Sequence, residues 1–114
     1  MPSLPLTSLE REKIANILAA ALAKDWPRFE ALSDLPFINP ASMKEQFDDT
    51  VKLISDDLSR WEDNAFVEKL SGGDRLIHVG LPHKAANGPD INLFVRSTKA
   101  GIRIMVFYKR YQFD

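Results

Sequence analysis

Apolar positions along this chain change their period once, near residue 65. Before that point they recur every three or four residues, and after it they alternate. Thr7 and Glu10 make a capping box that opens a first helix, because each can satisfy the other's backbone amide. Ile14, Ile17, Leu18, Ala21 and Leu22 then lie on one helical face. Lys24-Asp25-Trp26-Pro27 breaks that helix. Asp25 can cap a short second one that tolerates Pro27 in its first turn and carries Phe29 and Leu32 inward. Leu35-Pro36-Phe37 and Asn39-Pro40 end it, since residues before proline avoid the α region. A long third helix is predicted from Pro40 or Ser42, with Ser42 and Glu45 as a second capping box. Its stripe is Phe47, Val51, Ile54, Leu58, Trp61 and Ala65, and Asp48, Asp49, Asp56 and Asp57 fall off that stripe.

Beyond residue 65 the alternation predicts four strands, over 66–70, 75–81, 91–97 and 102–113. Ser71-Gly72-Gly73-Asp74 and Thr98-Lys99-Ala100-Gly101 form the short turns, and 82–89, with Asn87-Gly88, a longer loop. Short connections imply antiparallel neighbours. Helices followed by strands predict an α+β class, with N-terminal helices packed on a bent four-stranded antiparallel sheet, as one domain over residues 1–114. Strict alternation divides the last two strands into two faces. Ile91, Leu93, Val95, Ile102, Ile104 and Val106 make an aliphatic one that should be buried. Asn92, Phe94, Arg96, Arg103, Met105, Phe107, Lys109 and Tyr111 make an aromatic and basic one.

Composition changes this picture little: 45% hydrophobic and 27% charged residues are ordinary for a globular chain of 114 residues. The absence of cysteine removes disulfides, thiolate metal sites and a cysteine nucleophile, and fits a reducing compartment. The N-terminus has no basic and apolar signal pattern, and no window approaches 18 apolar residues, so the expectation is a cytoplasmic protein outside the membrane. Charge is split: residues 1–63 carry 7 Lys and Arg against 12 Asp and Glu, and residues 64–114 carry 8 against 4. An acidic helical part balancing a basic sheet accounts for this, and the basic excess is too small for a nucleic-acid footprint.

Most candidate chemistry has an ordinary explanation. His78 and His83 lack metal-ligand spacing, and His83 sits in a proline-bounded loop. Gly72-Gly73 precedes a strand and not a helix, so it reads as a hairpin turn rather than a phosphate loop. The paired aspartates diverge around their helix and read as a solvated acidic face. The mixed sheet face is the constellation that survives, and the binding residues it nominates are His78, Phe94, Arg96, Arg103, Phe107, Lys109 and Tyr111. Aromatics, Met and Arg are what protein interfaces enrich, which points to a homodimer or a protein partner. Phe107 and Tyr111 would lie at the centre of such a contact, with Arg96 and Lys109 toward its rim. A curved sheet enclosing a small-molecule pocket, base stacking, and burial under the N-terminal helices are the alternatives. No cofactor or metal is implied.

Two segments, ILAAALAKDWPRFEALSDL and INLFVRSTKAGIRIMVFYKRYQF, resemble the nuclear transport factor 2-like (cystatin-like) superfamily. The first resembles its first helix, acidic and aromatic break and short second helix, and the other its last hairpin. The resemblance implies an α+β cone, frequent dimerisation through the sheet and, in some members, a ligand or isomerase site in the cone. No catalytic dyad of that kind maps onto this chain. The chain departs from the family in its long helix over 42–61 and its reduced sheet. A second, slighter likeness is to small bacterial ribonuclease domains, where His78, Arg96 and Arg103 would supply an acid and cations. Glu68, Asp74 and Asp90, at edges or turns, are poor candidates for the base. A third class, the small inhibitor or immunity protein, would use the acidic helix. The expected function is a non-catalytic binding or assembly module.

Overall fold

A computed structural model describes residues 4–88 and 90–109. α1 (Ser8–Leu22) opens on the expected capping box, with the Glu10 amide donating to Thr7 Oγ1 and the Thr7 amide donating to Glu10 Oε1. It closes on Lys24, whose positive φ of 55° lets the Lys24 and Asp25 amides donate back to the Ala21 and Ala20 carbonyls. α2 (Trp26–Leu32) is capped by Asp25, and α3 (Pro40–Thr50) by Asn39, whose side chain accepts the Ser42 amide in place of the predicted Ser42–Glu45 box.

α3 stops at Thr50, eleven residues short of Trp61, where the predicted stripe was to continue. Two sets of hydrogen bonds end it. The chain turns to pair with the 82–84 loop, where the Ser55 amide donates to Pro82, the Lys84 amide donates to Leu53, and Ile54 bridges His83. Asp57 and Ser55 then take local partners: Asp57 Oδ1 accepts from the Ser59 amide and hydroxyl, and Ser55 Oγ accepts from the Asp57 amide. Such side-chain bonds compete directly with a helical ladder. The stripe still marks buried positions, since Ile54, Leu58 and Trp61 all face the core. They reach it from turns and a 3-10 segment, Trp61–Asn64.

β1 (Ala65–Lys69), β2 (Arg75–Leu81), β3 (Ile91–Thr98) and β4 (Gly101–Lys109) form an antiparallel sheet in sequence order. With the helices before it, the chain is α+β. Val67, Ile77, Val79, Leu81, Ile91, Leu93, Val95, Ile102 and Ile104 bury one face against Ile14, Ile17, Leu18 and Phe29 in one continuous core. The helices thus lie on the aliphatic face and leave the mixed face uncovered among the described residues.

A β-bulge corrects the reading of β4. Phe94 stands opposite Val106 and Val95 opposite Ile104, so Met105 is an extra residue and the alternation inverts after it. Phe107, expected on the mixed face, is instead fully buried, and Val106, expected in the core, is only half-buried. The physical reason is an aromatic cluster. Phe107 lies 5.4 Å from Phe29 and 6.4 Å from Phe47 between ring centroids, and Phe29 and Phe47 are 4.8 Å apart. Burying the larger ring gains more than burying valine. Among the described residues no helix is long and apolar enough to cross a membrane.

Candidate functional site

The register places the outward residues of the sheet in rows. Phe66, His78, Phe94 and Val106 stand opposite one another across all four strands, and Glu68, Leu76, Arg96 and Arg103 form the next row. In the first row His78 stands edge-on to Phe94, with ring centroids 4.5 Å apart, and to Phe66, at 5.8 Å. Edge-to-face contacts of this kind hold aromatic groups in fixed positions. Phe66 is nevertheless 45% exposed. A continuous aromatic strip therefore faces outward where a sheet surface is ordinarily polar.

Charged groups flank that strip and differ in how far they are engaged. His78 Nε2 lies 3.4 Å from Glu68 Oε1. Arg96 Nε and its terminal nitrogen both donate to Asp74 Oδ2, at 3.0 and 2.8 Å, so its charge is already paired. Arg103 Nε donates to the Pro36 carbonyl at 2.9 Å, and the residue has no carboxylate partner among the described residues.

Of the residues nominated from sequence, His78, Phe94, Arg96 and Arg103 share this face. Phe107 does not, because the bulge turns it into the core. Lys109 is exposed at the end of β4, in a groove of about 560 Å³ that it lines with Tyr108, Asp49 and Ser42. Tyr111 lies outside the described residues. Phe66 and Glu68 are absent from the nominated set, although Glu68 is named from sequence as a poor candidate for a base. Their signal was present in the short Ser71–Asp74 turn, which pairs Lys69 with Arg75 and so sets Glu68 opposite Leu76 and Phe66 opposite His78.

Two other concave features among the described residues are lined by different residues. A polar cleft of about 360 Å³ beside Trp61, Asn64, Asp57 and Asp90 lies at one end of the sheet. A wide groove of about 970 Å³ lies at the other, between the hairpin turns and the start of α1. On its wall Arg75 makes a two-pronged pair with the buried Glu10, each bond 2.9 Å. Burial raises the Glu10 pKa, but bonds from Arg75, the Thr7 amide and Ser97 outweigh it and hold the carboxyl below its ordinary value. This pair clasps the N-terminal segment to the sheet, for Arg75 also donates to the Pro5 carbonyl. Among the described residues no three His, Asp or Glu groups gather as a metal site would require.

No protein family matches this chain, and no curated protein or solved structure matches it.

Proposed function

We propose that the chain is a non-catalytic binding or assembly module, resembling the nuclear transport factor 2-like group, that works through the open face of its sheet. The observation carrying this reading is the Phe66–His78–Phe94 strip, ordered by its own ring contacts and left facing outward. Apolar surface arranged in one patch and rimmed by charge is the usual mark of an interaction site. It is also the composition that carries binding energy, aromatic anchors surrounded by groups that exclude water.

The 3.4 Å approach of Glu68 to His78 favours a second reading, a small ribonuclease with these two as base and acid. Three features weigh against it. Arg96, the cation nearest them in register, is committed to Asp74, and neither His78 nor Phe94 lines any of the clefts described above. A general base and acid joined to each other also leave little room for a phosphate between them.

Phe66→Asp and Phe94→Asp, each checked for native circular dichroism, test the binding reading. Light scattering and native mass spectrometry should show that every association of the wild-type chain is lost in both. Folded variants that keep all of them would place binding elsewhere. Cleavage of RNA by the purified chain, falling about 10²–10⁴-fold in His78→Ala, would favour the second reading instead.

A further inference from the structure

We propose that the occupant of the open face is a second copy of this chain, seated face to face about a two-fold axis running along the strands between β2 and β3. The proposal rests on the reading of that face as a binding surface and names its partner and geometry.

Sheet edges are the other common route to self-association, and in this fold they are engaged. On β4 the Ile102 amide donates to Asp34, the Ile104 amide to Ser33 and the Phe107 amide to Gln46. The Ile102 carbonyl accepts the Asp34 amide, and the Phe107 carbonyl accepts the Thr50 hydroxyl. Along β1 the Leu4 amide lies 3.5 Å from the Val67 carbonyl. Side chains and loop backbone thus occupy ladder positions that a strand from another molecule would need.

The face is complementary to itself in a particular way. A face-to-face two-fold along the strands lays β1 of one copy on β4 of the other, and β2 on β3. In the aromatic row His78 then meets the second copy's Phe94, and Phe66 meets its Val106, by the observed register. In the neighbouring row Glu68 meets Arg103. Among the described residues those two are the ions of that row that lack an ion-pair partner of fixed charge, for Arg96 is held by Asp74 and the ion-pair contact of Glu68 there is to His78. They stand at opposite edges of the sheet, about 14 Å apart at the usual strand spacing. The axis therefore joins them in two equivalent pairs. An axis across the strands would instead lay β1 on β1 and β4 on β4, which keeps Glu68 and Arg103, on opposite edge strands, from meeting. Packed sheets cross at about 30°, a rotation that long Glu and Arg side chains accommodate at the corners. Gly80, opposite Asn92 in the third row, leaves space there for the second copy's Asn92.

A face this narrow is at the small end of stable interfaces, so the expected dimer is reversible and in the micromolar class. Sedimentation of wild type to millimolar concentration should show a monomer–dimer equilibrium. Glu68→Arg and Arg103→Glu should each weaken it about tenfold or more, because each sets like charges opposite one another. The double variant should return within about threefold of wild type, since it restores both pairs in reversed order. An equimolar mixture of the two single variants should form the heterodimer. Far-UV circular dichroism and unfolding midpoints confirm that each variant is folded. A wild-type chain still monomeric at millimolar concentration overturns the second copy as occupant. A dimer that Phe94→Asp abolishes but that ignores both charge reversals overturns this axis and leaves the binding face standing.

Discussion

Phe107 and Glu10 show how much a single buried side chain carries in this fold. Phe107 is completely enclosed by Phe29, Phe47 and the sheet, so Phe107→Ala should cost about 3–5 kcal/mol by denaturant unfolding. Val106→Ala, on the half-buried outer face, should cost less than about 1.5 kcal/mol. Equal losses would mean that the two side chains share one environment. Glu10 makes a pH-dependent contribution. Its pKa is lower in the folded state than in the unfolded chain, so folding favours its ionised form. The stabilisation is complete above the unfolded value, about pH 4.3, and is lost as pH falls through the lower folded value. Unfolding free energy measured from neutral pH into acid should therefore fall less steeply in Glu10→Gln than in wild type.

At the scale of elements, β4 is where sequence pattern and packing part. Met105 is the residue the ladder does not need, because its removal leaves Val106 opposite Phe94 and Phe107 opposite Leu93 as they are now. Deleting Met105 should yield a folded chain with a loss under about 2 kcal/mol. Were Met105 and Phe107 on one face by strict alternation, the same deletion would exchange the faces of everything after it. An unfolded deletion variant would count against the bulge as described. The same strand shows why its edge does not invite aggregation. Asp34, Ser33, Gln46 and Thr50 come from the helices and their connections, and each takes a backbone group that an edge strand would leave bare.

Over the whole molecule the charge split resolves only partly into internal pairs. Glu10–Arg75 links the acidic and basic halves, while Arg11–Glu62, Lys13–Asp34 and Lys44–Asp48 stay within the first and Arg96–Asp74 within the second. Asp49, near the end of α3, and Asp56, in the turn beyond it, are exposed. They do not share a helix, so the extended acidic helix face that an inhibitor-type function would use is broken. Reversing both to Lys should change stability by under about 1 kcal/mol and leave association untouched. Loss of partner binding in that double variant, with the fold intact, would move the acidic surface ahead of the sheet face.

What could be read from sequence alone was what local physics decides. The Thr7–Glu10 capping box, the Asp25 cap, the helix-breaking prolines and the two hairpin turns depend on a few neighbouring residues, and each stands in the structure. Hydrophobic period likewise separated the helical part from the sheet and identified Ile54, Leu58 and Trp61 as buried. Whether those three lay on a helix was settled by distant partners, since residues 82–84 draw residues 53–55 into a bridge that no local pattern announces. The candidate face was legible as far as His78, Phe94, Arg96 and Arg103, because alternation holds up to the bulge. It failed at Phe107, where Phe29 and Phe47 compete for the ring from elements far back in the chain. Phe66 and Glu68 joined the face only through strand pairing. Alternation along a strand assigns a side chain to one side or the other, but tertiary packing decides which side is the core, where the alternation inverts, and which residues become neighbours across it.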